Sequence, residues 1–86
     1  MLHIYYYYSD GCLSCEYLNE FFKGFSKTYK KYLIVHYINI YNKNYNIPGI
    51  PFIQFHMNGK DLRKYNLLGS NIGNIINNTN IILNQD

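Results

Sequence analysis

The feature that most restricts the fold of this chain is a change of hydrophobic period across its two cysteines, in Tyr5-Tyr6-Tyr7-Tyr8-Ser9-Asp10-Gly11-Cys12-Leu13-Ser14-Cys15. Upstream, Leu2 to Tyr8 is an unbroken run of apolar, β-branched and aromatic residues, which is the pattern of a strand. It is apolar on both faces, as expected of a central strand covered on both sides. Its tyrosines are read as core residues whose hydroxyls reach the sheet margin. Ser9-Asp10-Gly11 is a turn. Downstream, Leu18, Phe21, Phe22, Phe25, Tyr29 and Tyr32 recur at spacings of three and four and define one apolar helical stripe. Glu16 and Glu20 stand early and Lys27, Lys30 and Lys31 late, the order that the helix dipole favours. Gly24 is a weak point in this helix.

The rest of the chain alternates in the same way. Leu33 to Ile40 reads as a second strand, parallel to the first because a helix joins them, with a right-handed crossover. Tyr41 to Gly49 is polar and Asn-rich, a loop with at most one helical turn. Pro51 to Met57 is a third strand. Asn58-Gly59 is a hairpin signal, so Lys60 to Tyr65 is expected to return antiparallel, and Leu67 to Ser70 to turn. Ser70 or Asn71 caps a last helix, with Ile72, Ile75, Ile76 and Thr79 on one face and Ile82 or Leu83 continuing it. Gly73 and the asparagines make this helix intrinsically poor, so it must be held by its contacts. Gln85 and Asp86 are expected to fray.

At 86 residues the chain is expected to be a single domain, residues 1–86. Hydrophobic residues at 48% argue against disorder. The excess of Asn, Ile, Tyr and Lys follows A/T-rich codons and weakens inference from individual surface Asn or Lys residues. The formal charge of +3 is modest, and the Lys27, Lys30, Lys31 group is read as a solvated helix end rather than a nucleic-acid patch. Lys60, Arg63 and Lys64 are read as a solvated edge that discourages strand pairing. The N-terminus lacks a positive n-region, so it does not read as a secretion signal, and no stretch approaches the ~20 apolar residues of a membrane span. A soluble monomer in a reducing, cytoplasmic compartment is expected, with no nucleic-acid or membrane partner. Two cysteines do not make a structural disulfide framework.

The order strand, Cys12-Leu13-Ser14-Cys15, helix, strand, Ile50-Pro51, hairpin, helix resembles the thioredoxin superfamily over nearly the whole chain, in its small thioredoxin/glutaredoxin-like form. "SDGCLSCEYL" is similar to the family's Cys-x-x-Cys segment, and "IPGIPFIQFHMNGK" to its Gly-Ile-Pro, apolar strand and Asn-Gly turn. The resemblance implies an α/β fold: β-α-β followed by β-β-α, with a four-stranded mixed sheet flanked by helices. It implies a thiol–disulfide oxidoreductase with Cys12 as nucleophile and Cys15 as resolving thiol. It also implies a cis Ile50–Pro51 bond facing the cysteines, with the Ile50 backbone pairing an extended substrate segment. Disulfide-containing proteins would be substrates. No cofactor would be bound, and an external donor, either a thioredoxin-reductase-like enzyme with NADPH or glutathione, would restore the dithiol.

The chemistry of the segment points the same way. A helix N-terminus presents unpaired N–H groups and about half a positive charge. An ordinary thiol has a pKa near ~8.5, and such placement brings it to ~3.5–7.5. Cys15, one turn on, lies on the same face as Cys12, so that the two sulfurs can meet. Cys12 is expected to be exposed and Cys15 more buried. Asp10 and Glu16 oppose a thiolate. The sequence departs from the thioredoxin pattern at Tyr6, which stands where the family has a buried acid, and at Tyr37, where the partner lysine would be. Gly11 replaces the usual aromatic, and the first strand and helix of full thioredoxins are missing. Leu68-Gly69-Ser70-Asn71 occupies the place of the glutathione-holding turn of glutaredoxins, although a plain helix cap accounts for Ser70 or Asn71 equally well.

Two other readings stand beside this one. Cys12 and Cys15 have a zinc-like spacing, and His3, His36 and His56 are present, but structural zinc sites combine such a pair with a second close pair, which is lacking, so no metal is expected. The alternative to an enzyme is a structural or interaction subunit of the same fold, with vestigial thiols or thiols used once in assembly. The missing acid, the missing lysine and the short loop before Ile50 motivate it.

Overall fold

The computed structural model describes residues 1–41 and 43–85. The expectations for Asn42, inside the loop, and for Asp86, at the end, lie outside them. Strand β1 (Leu2–Tyr8) is followed by helix α1 (Leu13–Thr28) and strand β2 (Leu33–Asn39). Strand β3 (Phe52–Met57), the short β4 (Lys60–Asp61), a 3₁₀ turn (Arg63–Tyr65), the two-residue β5 (Leu67–Leu68) and helix α2 (Ile72–Leu83) complete the order. The sheet runs β2-β1-β3-β4, with β5 also against β3. β1 and β2 are parallel, and β1 and β3 antiparallel. The β3–β4 connection is Asn58-Gly59, at φ 56° and 77°, the left-handed pair that a two-residue hairpin requires.

Alternation along the strands sorts the residues into two faces. Leu2, Ile4, Tyr6, Leu33, Ile53 and Phe55 join Leu18, Phe22 and Phe25 of α1 and Ile75 and Ile82 of α2 in one core cluster. Both helices therefore cover the same side of the sheet. This corrects the reading of β1 as covered on both sides. Its other face carries His3, Tyr5 and Tyr7, which pack on neighbouring strands rather than under a helix among the described residues. Tyr5 stacks on His36 at 4.5 Å between centroids and meets His56 edge-on at 5.0 Å. The His3 and His36 rings are hydrogen-bonded, Nδ1 to Nε2, at 2.8 Å. Tyr7 donates to Gln54 Oε1 at 2.8 Å, and Tyr45 from the following loop lies edge-on against it. A run of polar aromatics can close such a face by itself, because each ring buries its body against a neighbour and leaves its polar atoms bonded.

α1 runs without interruption through Gly24 and ends earlier than its apolar stripe: Tyr29 is the C-cap and Tyr32 is exposed. The chain turns there because Tyr32 N–H and Leu33 N–H both donate to the Tyr29 carbonyl, at 2.8 and 3.0 Å. The return after the hairpin is shorter than expected, since Leu62 breaks to the 3₁₀ turn. Leu67–Leu68 pairs with Phe52–Ile53 where a turn was expected. In α2 the cap is Asn71, whose Oδ1 accepts from Asn74 N–H at 3.0 Å. Ile75, Thr79 and Ile82 are its buried residues, and Ile76 is exposed. Its glycine and four asparagines cost about 3–4 kcal/mol relative to alanine. Burying Ile75 and Ile82 contributes about 3–6 kcal/mol, which offsets that cost.

Candidate active site

The strand-to-helix junction places both cysteines. Gly11, at φ 79°, reverses the chain after β1 in a backbone conformation that side chains disfavour. Cys12 then stands in extended conformation as the N-cap of α1, where an oxygen-bearing side chain is the usual choice. Here sulfur does the capping: Cys12 Sγ accepts from Cys15 N–H at 3.2 Å, and the Cys12 carbonyl accepts from Glu16 N–H at 3.1 Å. Ser14 Oγ lies 3.6 Å from Cys12 Sγ. Cys12 and Cys15 are joined as a disulfide, with their Cα atoms 5.2 Å apart. Cys12 is partly exposed, whereas Cys15 is 1% exposed. The pair thus presents one sulfur to solvent and keeps the other against the core.

Below Cys15 lies Tyr6, fully buried, whose hydroxyl donates to the Cys15 carbonyl at 2.7 Å. Burial pushes the Tyr6 phenol above its ordinary range, with Tyr8 and Tyr37 adding to the effect, so the group under the dithiol is neutral. Tyr37 stands edge-on to Tyr6 at 6.0 Å and is exposed. Asp10 is turned toward β2, its Oδ1 accepting from Asn39 Nδ2 at 3.2 Å. Glu16 is exposed in the first turn of α1. The Tyr6 contact was not legible in the sequence. The signal was the departure at Tyr6 itself, a hydroxyl-bearing residue at a core position six residues before Cys12.

The register places the second segment at the same end of the sheet. Tyr7 pairs with Phe52, so Ile50 and Pro51 enter β3 beside the point where β1 leaves toward Cys12. The Ile50–Pro51 peptide bond is cis. Pro51 is buried, and its carbonyl accepts from Gly69 N–H at 2.8 Å. Ile50 is half-buried, and its backbone N–H and C=O have no hydrogen-bond partner among the described residues. An open groove of about 630 Å³ on the other side of β1, lined by Tyr8, Glu16, Asn19, Glu20, Lys23 and Tyr37, had no sequence signal beyond the two glutamates.

The histidines do not join the cysteines. His3, His36 and His56 lie on the sheet face opposite α1, and among the described residues no three His, Cys, Asp or Glu side chains are grouped to hold a metal. Among the same residues no helix is long and apolar enough to cross a membrane.

Solved thioredoxins share this architecture. Thioredoxin f2 of Chlamydomonas reinhardtii superposes with a TM-score of 0.83 at 16% identity, over 99% of this chain and 82% of its own. Thioredoxin of Plasmodium falciparum gives 0.79 at 22% identity, over 93% of this chain and 80% of its own. This chain has the thioredoxin fold. No protein-family model matches the sequence, and no curated protein matches it either. At such identities the likeness resides in the backbone. Within the thioredoxin fold of this chain, the disulfide is at the N-terminus of α1, and the Ile50–Pro51 bond opens β3 at the same end of the sheet.

Proposed function

We propose that this protein is a thiol–disulfide oxidoreductase that passes electrons through a reversible Cys12–Cys15 disulfide to disulfide-containing proteins or small molecules. The observation that carries this reading is the Cys12 sulfur at the helix N-cap, accepting the Cys15 N–H at 3.2 Å beside a buried second sulfur. An N–H donor and the positive helix end both favour negative charge on that sulfur.

In the reducing direction, the Cys12 thiolate attacks one sulfur of a substrate disulfide. A Cys12–substrate bond forms, and the other substrate sulfur leaves as a thiolate that takes up a proton. Cys15 then loses its proton and attacks Cys12 Sγ, releasing the second substrate thiolate. Two electrons have moved to the substrate, and the chain holds the Cys12–Cys15 disulfide. A thioredoxin-reductase-like enzyme with NADPH, or glutathione, restores the dithiol. The free backbone groups of Ile50 suit an extended substrate segment laid beside Pro51, and a reducing compartment such as the cytoplasm suits the cycle.

The test is a trap. Cys15→Ser is expected to accumulate a mixed disulfide with an oxidised substrate such as insulin, through Cys12, and Cys12→Ser to accumulate none. Absence of turnover in the unaltered protein, with no adduct in Cys15→Ser, would favour a structural subunit instead.

A further inference from the structure

We propose that two copies of this chain pair through their β2 strands, antiparallel and about a two-fold axis at His36, into one continuous sheet, in place of the monomer expected from sequence. β2 is the edge of the sheet. Its outward groups follow from two hydrogen bonds at its ends: Leu2 N–H to the Tyr32 carbonyl at 3.0 Å, and Ile40 N–H to the Tyr8 carbonyl at 2.8 Å. Even-numbered residues therefore address β1, and Leu33, Val35, Tyr37 and Asn39 turn their backbone groups away from it. The Leu33 N–H is already bonded to Tyr29. The others have no backbone partner among the described residues.

Natural edges are guarded by charge, proline, bulges or brevity. This one has none of these: Leu33–Asn39 is seven residues long, and its sequence LIVHYIN holds no charged residue and no proline. Its pairing with β1 is regular throughout. It also exposes Ile34 and Tyr37.

The strand is complementary to itself in one register. With His36 opposite His36 of the second copy, Val35 meets Tyr37 and Leu33 meets Asn39, so the odd-numbered residues, whose backbone groups point outward, face one another. The Val35, Tyr37 and Asn39 N–H groups of each copy then donate to the Tyr37, Val35 and Leu33 carbonyls of the other. The one N–H already bonded at home, that of Leu33, is the one this register can spare. Side chains agree. Ile34 falls opposite Ile38 on one face, and Val35 opposite Tyr37 on the other, so both exposed apolar residues gain an apolar cross-strand neighbour. Charges agree as well. The Lys30–Lys31 end of one strand meets the Asn39 end of the other, where Asn39 Nδ2 holds the Asp10 carboxylate at 3.2 Å. Such an interface is isologous and closed.

Sedimentation velocity of the full chain across a concentration series tests this independently of any redox activity. A monomer–dimer equilibrium is expected, with Ile34→Lys and Tyr37→Lys each raising its dissociation constant about tenfold. Both side chains are exposed in the monomer, so a retained circular dichroism spectrum checks the fold. His36→Cys, with Cys12→Ser and Cys15→Ser, is expected to form a disulfide-linked dimer in air, since a non-hydrogen-bonded antiparallel pair holds its Cα atoms about 4.5 Å apart. In hydrogen exchange, the Val35, Tyr37 and Asn39 amides should gain protection with concentration. A protein that stays monomeric to about 1 mM, leaving the edge bare or to a strand of another protein, overturns the proposal. A dimer indifferent to both lysine substitutions, with those amides unprotected, overturns it too.

Discussion

The Tyr6 hydroxyl and the Cys15 carbonyl are hydrogen-bonded at 2.7 Å in the core, so the strand that leads into the dithiol also holds the first turn of the helix that carries it. A phenol does this without bringing charge beneath the sulfurs. Tyr6→Phe keeps the ring and removes the bond. It is expected to lower the stability of the oxidised protein by about 1 kcal/mol, measured as a shift of the urea midpoint at constant slope.

The same residue sets an alkaline limit. Burial raises the Tyr6 pKa above its ordinary value of 10.0. The folded protein thus holds the phenolic proton more tightly than the unfolded chain does. The stability from this group is full below pH 10, and is lost progressively as pH rises above that value toward the folded pKa. A urea series from pH 8 to 11 is expected to show a decline beginning near pH 10, shallower in Tyr6→Phe. An equal slope in both proteins would assign the decline to other tyrosines.

Acid acts on the opposite face of the sheet. Burial and the neighbouring His3 lower the His36 pKa below its ordinary 6.5. The folded state therefore binds fewer protons than the unfolded one below that pH, and the stability present above pH 6.5 is lost as pH falls through the folded pKa. In His36→Gln the stability between pH 7 and 5 should fall less steeply than in the unaltered protein, as read by thermal unfolding.

Reactivity of the exposed sulfur is a separate matter. In the reduced protein at pH 7, Cys12 is expected to react with iodoacetamide about tenfold faster than free cysteine. Glu16→Gln, which removes a negative charge from the first turn, is expected to raise that rate about twofold. The rates can be followed by mass spectrometry of the modified peptide, with Cys15 remaining slow because it is buried.

The cap of the last helix is a single side chain. Asn71→Ala removes the acceptor of Asn74 N–H and should cost about 1 kcal/mol, while Asn71→Asp should leave stability within a few tenths of a kcal/mol. Amide exchange at Asn74 distinguishes loss of the cap from a general loss of stability.

Sequence alone determined what depends on neighbours along the chain. Leu2–Tyr8 was legible as a strand, the Asn58-Gly59 hairpin as a left-handed pair and the disulfide-spaced cysteines as the mouth of a helix, because period, turn chemistry and capping act over a few residues. Tertiary structure decided the rest. Tyr32 fits the helical stripe by spacing, yet the chain has already turned at Tyr29, because that carbonyl captures two amides. The tyrosine run is apolar enough for two covered faces, yet both helices dock on one, and His36, His56 and Tyr45 close much of the other. Leu67–Leu68 became a strand only because β3 lies alongside it, and Tyr6 met Cys15 only once α1 lay on the sheet. Burial and docking are set by surfaces that come together from distant parts of the chain, and no local pattern encodes which surface a given stripe will meet.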